Sequence, residues 1–175
     1  MRESQILDAD FFGRDTVEVA RDLLGCVLCR RVTPRRVIRV RITEAEAYDG
    51  FEDRASHAHA GRTARTEVMF GPPGRWYVYL CYGVHWMLNI VTRESDYPAA
   101  VLLRGSDEVY GPGRLTRLLQ VNLDFNRLPA IPASNLWIER GEPIPMGRIE
   151  CHPRIGVAYA GPYWSQLPWR FTWVK

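Results

Sequence analysis

The stretch 76–91 constrains the fold of this chain more than any other part of the sequence. It is the longest mostly apolar stretch, but Gly83, His85 and Asn89 interrupt it, and it is rich in tyrosine and tryptophan. Aromatic runs broken by a glycine are typical of two strands joined by a tight turn, whereas a membrane span needs about 20 consecutive apolar residues. The sequence therefore predicts a β-hairpin with Tyr82 and Gly83 at its turn, and no transmembrane segment.

The rest of the chain predicts few helices and several further strands. Asp15 as N-cap, Glu18 three residues later and Gly25 as the stop predict a helix over 16–24. The other predicted strands cover 26–32, 37–48, 99–104, 136–138, 155–158 and 170–174, and a second helix begins at the Gly-Pro-Gly of 111–113. We predict one mixed α/β domain over residues 1–175, with a curved antiparallel sheet, few helices and a protruding β-hairpin.

The basic residues exclude two classes of site. The chain has 23 basic residues, and Lys175 is the only lysine among them. An internal lysine therefore cannot form a Schiff base, and no P-loop lysine is present. Arginine suits phosphate binding, but a GC-rich genome would produce the same bias.

Four cysteines favour a reducing compartment. Cys26 and Cys29 form a CxxC pair, but on a strand residues i and i+3 point to opposite faces, so the two thiols should diverge. We interpret them as structural cysteines and predict no metal site. His57 and His59 lack a third ligand at a typical spacing, which agrees with that prediction.

The predicted strand 37–48 carries the most informative local pattern. Alternation puts Glu44, Glu46 and Tyr48 on the face that begins with aliphatic residues. A carboxylate turned inward there could have a raised pKa and act as a general base. The alternative is that the strand leaves the core after Ile42, so that both glutamates are solvated.

Two further regions suggest contact with nucleic acid. Tyr82 lies at a hairpin tip, where there is no core to fill, and Tyr79 on the preceding strand could stack on a base. The loop 49–75 holds Arg62 and Arg65, which suit phosphate contacts, although both could equally be solvated. For the tyrosines, ordinary half-buried strand positions are the alternative.

Five strings, taken in order, resemble the alkyladenine (3-methyladenine) DNA glycosylases. They are TEAEAYDG at 43–50, SHAHAGRTARTEVMF at 56–70, GRWYVYLCYGVHWMLNIVT at 74–92, VLLRG at 101–105 and GPGRL at 111–115. The resemblance covers nearly the whole chain. It implies a monofunctional glycosylase that removes alkylated adenine, hypoxanthine and ethenoadenine from double-stranded DNA.

The resemblance also implies roles for single residues. Glu46 would activate the attacking water, which Arg104 would help to hold with main-chain groups near Ile155. Among the base-binding residues, Tyr48 and Tyr79 would enclose the flipped base. His57 would lie beside the base, and Asn89 would exclude guanine. Tyr82, at the turn with Gly83, would insert into the minor groove. Arg62 and Arg65 would contact the DNA backbone.

We further expect a monomer with no cofactor and no obligate protein partner, acting in the bacterial cytoplasm on nucleoid DNA. Two alternatives remain at this stage. One is a DNA-damage binder with little catalysis, and the other is a hydrolase of a different N-glycoside or of a sugar, which would need suitably separated carboxylates.

Overall fold

A 14-residue strand, β2 (Arg36–Asp49), lies at the centre of the fold in this computed structural model, which describes residues 6–174. Its first half pairs with β1 (Val27–Thr33). Its second half pairs with β5 (Ala99–Ser106) and, on the opposite edge, with β8 (Arg170–Trp173). The long predicted strand is therefore confirmed, and it joins the two halves of the sheet.

The predicted antiparallel sheet with few helices is confirmed. The other strands are β3 (Trp76–Cys81), β4 (His85–Val91), β6 (Leu136–Glu139) and β7 (Ile149–His152). The order β3-β4-β5-β2-β1-β6 describes most of the open eight-stranded sheet, and β7 joins it by pairing with β8. The α-helices are α1 (Ala9–Phe12), α2 (Thr16–Asp22), α3 (Pro112–Leu118) and α4 (Gly161–Trp164), joined by short 3-10 turns.

The predicted hairpin consists of β3 and β4, and its turn lies where the sequence places it. Tyr82 and Gly83 both have positive φ, 50° and 67°, and the Val84 N–H donates to the Cys81 carbonyl at 3.1 Å. Two consecutive positive φ values are typical of a type I′ turn, which matches the twist of the flanking strands. Trp76 and Leu88 from the hairpin are fully buried in the main core.

The predicted helix over 16–24 is present but ends earlier, as α2. The Asp15 carboxylate caps it by accepting from the N–H groups of Val17 and Glu18. The chain leaves the helix at Leu23 and reaches Gly25 with a φ of 84°. The short helix α1 before it was not predicted, because four residues are too few for a helical period to show in the sequence.

The predicted strand over 155–158 is wrong. Gly156 has a φ of 75° and turns the chain, and a 3-10 turn follows at Ala158–Ala160. The nearby strand is β7, which precedes this segment and pairs with β8. The apolar pair Ile155 and Val157 resembles strand alternation, but Ile155 is half exposed while Val157 packs in a small separate cluster.

The prediction that Glu46 shares a face of β2 with Ile42 is also wrong. A β-bulge at Glu44 breaks the alternation, so the side chains that follow it point to the other face. The pairing register with β5 shifts on both sides of Glu44. Ile42 lies in the main core before the bulge, and Ala45 lies in that same core after it. Glu46 therefore points to the opposite face of the sheet from Ile42. It is nevertheless fully buried, so the solvated alternative is wrong for this residue.

The two cysteines of the CxxC pair are buried free thiols in different surroundings. Cys26 belongs to the main core, whereas the Cys29 Sγ accepts a hydrogen bond from Arg39 at 3.4 Å. Within residues 6–174, no helix has both the length and the hydropathy needed to cross a membrane.

We expect Asp15→Ala to lower the free energy of unfolding by about 1 kcal/mol, since α2 loses its N-cap. The variant also loses the 3.1 Å ion pair between Asp15 and Arg93. Urea unfolding followed by circular dichroism measures the change. Glu52→Ala, in an exposed loop, is the control, and equal losses in the two variants would contradict the assignment of the cap.

Candidate active site

A cavity of about 440 Å³ opens on the face of the sheet opposite the main core, beside the hairpin. Its volume is within the range of small-molecule sites in proteins. Most residues that the sequence singles out meet there. Those lining the cavity are Tyr48, His57, Arg65, Tyr79, Tyr82, Asn89 and Arg104.

Glu46 lies immediately behind this lining. Its Oε2 accepts a hydrogen bond from the Tyr48 hydroxyl at 2.8 Å, and its Oε1 accepts one from the Ile155 N–H at 2.8 Å. The Arg104 Nε lies 3.5 Å from Oε1. All three contacting residues line the cavity, so a small molecule that they bind would lie next to the carboxylate.

Burial is the dominant influence on the titration of Glu46. It raises the pKa of the carboxyl, and the negative charge of Glu44 raises it further. The Arg104 guanidinium and the hydrogen bonds from Ile155 and Tyr48 lower the pKa, but the balance remains above the ordinary value. A carboxylate with a raised pKa is a better proton acceptor, as a general base requires.

Three charged residues surround Glu46 in a connected group. Arg104 Nε donates to the Glu44 carboxylate at 3.2 Å, and Arg170 donates to the same carboxylate oxygen at 3.1 Å. Arg170 also donates to the Pro153 carbonyl at 3.0 Å, close to the turn that carries Ile155. Two carboxylates and two guanidinium groups therefore balance in charge, which limits the cost of burying them.

A second ion pair, fully buried, supports the site from behind. Arg154 and Asp53 form two hydrogen bonds, at 2.6 and 2.9 Å, with neither side chain exposed. Arg154 also donates to the Ala47 carbonyl at 2.9 Å, and its guanidinium carbon lies 4.8 Å from the centre of the Tyr48 ring. The pair thus fixes the turn that begins at Arg154, and with it the Ile155 N–H that binds Glu46.

Aromatic rings form much of the cavity wall. Tyr48 extends from β2, and Tyr77 and Tyr79 extend from the same face of β3, with their ring centroids 5.2 Å apart. The His57 ring contacts Tyr79 edge-on at 4.7 Å. Burial and the charge of Arg65 lower the pKa of His57, which favours its neutral form. These flat apolar surfaces could hold a planar heterocycle.

Asn89 and Arg65 lie at different parts of the cavity. Asn89 is buried, and its side-chain N–H donates to the Tyr77 carbonyl at 3.1 Å. Arg65 is exposed, and its guanidinium carbon lies 4.7 Å from the centre of the Tyr79 ring. Met87 also lines the wall, as a flexible side chain at a position that shapes the cavity.

The hairpin turn projects beside the cavity. Tyr82 is 95% exposed, and Gly83 next to it is also exposed, with no atom within 4 Å of the site where a Cβ would be. At this tip the Tyr82 side chain fills no core and is available to a binding partner. Pro112, from the Gly-Pro-Gly segment, also lines the cavity.

Arg62 does not join the other predicted residues at the cavity lining. It forms ion pairs with Glu67 and Asp96, and its guanidinium carbon lies 4.4 Å from the Phe70 ring centre. In the described part of the chain, no group of three or more His, Cys, Asp or Glu side chains is arranged to hold a metal ion.

Asp53, Arg154 and Tyr159 belong to the site but were not predicted from the sequence. The Tyr159 hydroxyl donates to the Ala55 carbonyl at 2.7 Å, which links the turn 154–159 to the loop that carries His57. Asp53 and Arg154 are 101 positions apart. No local pattern in the sequence could have paired them.

Comparisons with known proteins agree on one family. The model of the family described as methylpurine-DNA glycosylase (MPG) matches residues 10–111 and 106–175. Similar proteins named "Putative 3-methyladenine DNA glycosylase" occur in Nitrosococcus oceani, 39% identical over 97% of this chain and 90% of the relative, and in Methanocella arvoryzae, 41% identical over 95% and 91%. One from an Anaeromyxobacter species is 44% identical over 95% of this chain and 88% of its own length.

We expect Arg154→Met to lower the free energy of unfolding by about 3–5 kcal/mol, because it leaves the buried Asp53 carboxylate unpaired. The double variant with Asp53→Asn should recover part of that loss. The control is Arg54→Met, which removes an exposed arginine next to Asp53 in the sequence. Urea unfolding measures all three, and a loss in Arg154→Met no larger than in Arg54→Met would contradict this account.

Proposed function

Because this chain belongs to the methylpurine-DNA glycosylase family, we propose that it removes alkylated and other damaged purines from duplex DNA. In this proposal the damaged nucleotide flips out of the helix and its base enters the cavity. The observation that carries the proposal is Glu46, a buried carboxylate with a raised pKa held against an aromatic cavity.

The proposed reaction is hydrolysis of the N-glycosidic bond. A water held near Arg104 and the turn at Ile155 attacks the anomeric carbon of the deoxyribose while Glu46 takes a proton from it. The bond to the base nitrogen breaks, its electron pair leaves with the base, and the base is protonated or is released neutral if it was cationic. The 2.8 Å bonds from Tyr48 and Ile155 support this role, because they orient the carboxylate toward the cavity lining.

The cavity wall supports a purine as the group that enters. Tyr48 lies on one strand and Tyr79 on another, with His57 beside Tyr79, so a flat base could stack between them. Asn89, held by the Tyr77 carbonyl, is proposed to exclude guanine through its 2-amino group. Unstacking costs a few kcal/mol, and less at a damaged or mispaired base, which contributes to selectivity.

The hairpin tip is proposed to fill the gap that the flipped nucleotide leaves. Tyr82 is almost fully exposed on a tight turn beside the cavity. Inserted aromatic side chains partly unstack base steps and kink the duplex. Arg65, exposed at the cavity, is proposed to contact the DNA backbone, and Arg62 with it once its ion pairs open.

The product is proposed to be an intact abasic site. Cleavage of the strand by a lyase requires an amine that forms a Schiff base with the sugar. The only lysine of the chain is Lys175, outside the described residues. Water is therefore the proposed nucleophile.

A second candidate function is a protein that binds damaged bases without releasing them. Its support is the complete burial of Glu46, whose Oε2 accepts a hydrogen bond from the Tyr48 hydroxyl. If DNA binding does not bring a water into contact with this buried carboxylate, Glu46 cannot act as the base. Turnover distinguishes the two functions.

We expect Glu46→Gln to reduce single-turnover release of hypoxanthine from duplex DNA by about 10²–10⁴-fold, because glutamine cannot accept the proton. Binding of the same duplex should persist. Glu52→Gln, at an exposed position, should keep the parental rate. If the parent binds several lesions and releases none, the binding function replaces the proposed hydrolysis.

We expect Tyr82→Ala to reduce release from duplex DNA by at least about tenfold, equivalent to about 1.4 kcal/mol, while release from single-stranded DNA changes less. The same single-turnover assay on both substrates measures the ratio. The control Tyr163→Ala removes another exposed tyrosine, one that does not line the cavity. Equal effects on the two substrates would contradict an insertion role.

A further inference from the structure

Arg104 lies between two carboxylates but is bound more closely by one of them. Its Nε lies 3.2 Å from Glu44 and 3.5 Å from Glu46, and only the contact with Glu44 is a hydrogen bond. Among residues 6–174, the two terminal amino groups of Arg104 have no hydrogen-bond acceptor, and Arg104 lines the cavity. The guanidinium is thus held by one edge, and its other donors are available.

Glu44 is itself held in place. Arg170 donates to the same oxygen of Glu44 at 3.1 Å and to the Pro153 carbonyl at 3.0 Å. Only 14% of the Glu44 side chain is exposed. The β-bulge gives Glu44 this position, because the register with β5 shifts on both sides of it.

We propose that Glu44 is a positioning residue that holds the Nε edge of Arg104, which keeps the terminal amino groups for ligands in the cavity and limits the contact between Arg104 and Glu46 to an ion pair without a hydrogen bond. The inference rests on the proposed function, since it assigns what sets the distance between two residues of that site. Nothing in the proposal requires Glu44 to contact the substrate.

The competition between the carboxylates has a definite sign. Without the charge of Glu44, Arg104 is free to move closer to Glu46, and a like charge is also lost, so the ionised form of Glu46 is favoured and its pKa falls. Without Arg170, Arg104 is drawn further toward Glu44, and the pKa of Glu46 rises.

The charged and titratable groups around Glu46 are Glu44 and Tyr48 on β2, Arg104 on β5, Arg170 on β8, Tyr79 on β3, and Arg154 and Tyr159 on the turn 154–159.

The first test is the pH dependence of single-turnover hypoxanthine release. Glu44→Gln should lower the plateau rate about tenfold and move the acidic limb to lower pH by about 0.5–1 pH unit. Arg170→Gln should move the limb to higher pH, and Glu44→Asp, which keeps the charge, should restore its position toward that of the parent. Glu108→Gln, at an exposed site outside the cavity, should leave the profile unchanged.

A purely structural role for Glu44 gives a different result. The urea midpoint of Glu44→Gln would then fall while the acidic limb stayed at the parental pH, and this outcome would overturn the proposal. If Glu44→Gln does not fold, the opposite shift in Arg170→Gln carries the test, and an unshifted limb there overturns it equally.

A second measurement separates this proposal from the proposed function. Carbon-13 NMR of the glutamate carboxyls, with Glu46 assigned through Glu46→Gln, reports the pKa of Glu46 in the free protein without turnover. A fall in this pKa that is larger for Glu44→Gln in the parent than in an Arg104→Met background supports the positioning role, because only the excess requires Arg104 to move. This holds even if the parent releases no base, in which case the hydrolytic function fails alone. An unchanged pKa overturns the role of Glu44 whether or not the parent is active.

Discussion

The β-bulge at Glu44 is the constraint on which the rest of the site depends. A strand with uninterrupted alternation would put Glu46 on the same face as Ile42, inside the aliphatic core, where an ionised carboxylate is costly. The irregularity at Glu44 breaks the alternation, so Glu46 faces away from Ile42, and Ala45 and Ala47 fill the core in its place. One strand therefore supplies both the centre of the hydrophobic core and the buried acid.

Burying that acid requires compensation, and the fold provides it in two layers. Around the carboxylates, Arg104 and Arg170 balance Glu44 and Glu46. Behind them, Arg154 and Asp53 form a pair that is closed to solvent. Buried ion pairs add little to stability compared with apolar packing, but a broken pair is costly. Their benefit here is that the turn at Ile155 has few alternative positions, since its neighbours would lose their partners if it moved.

The parts of the fold that the sequence predicts are those with a local signal. Gly83 between aromatic strands predicts the hairpin, and Asp15 with Gly25 predicts α2, because turn and cap chemistry act over a few residues. The bulge has no such signal: Thr43 and Glu44 are acceptable in a regular strand, so the alternation gives the wrong face after Ile42. The misplaced strand at 155–158 has the same origin, since two apolar residues flank a glycine whose φ only tertiary contacts determine.

For the candidate site, the resemblance named residues that the structure brings together, and it could do so because motif order carries information about the whole fold. It could not supply the pairing of Arg154 with Asp53, which depends on contact between two loops that are far apart in the sequence. Arg62 shows the opposite limit. Its position in the sequence suits a phosphate contact. In the free protein, however, its guanidinium forms ion pairs with two neighbouring acids, which only the structure reveals.

The turn at Tyr82 has a kinetic consequence. A tyrosine with positive φ carries a backbone cost of about 1–2 kcal/mol, and the protein meets this cost when it folds. The tip therefore approaches any ligand already shaped, and docking requires no reordering of the loop. Under the proposed function, differences in dwell time between DNA sites would then report how easily each site deforms.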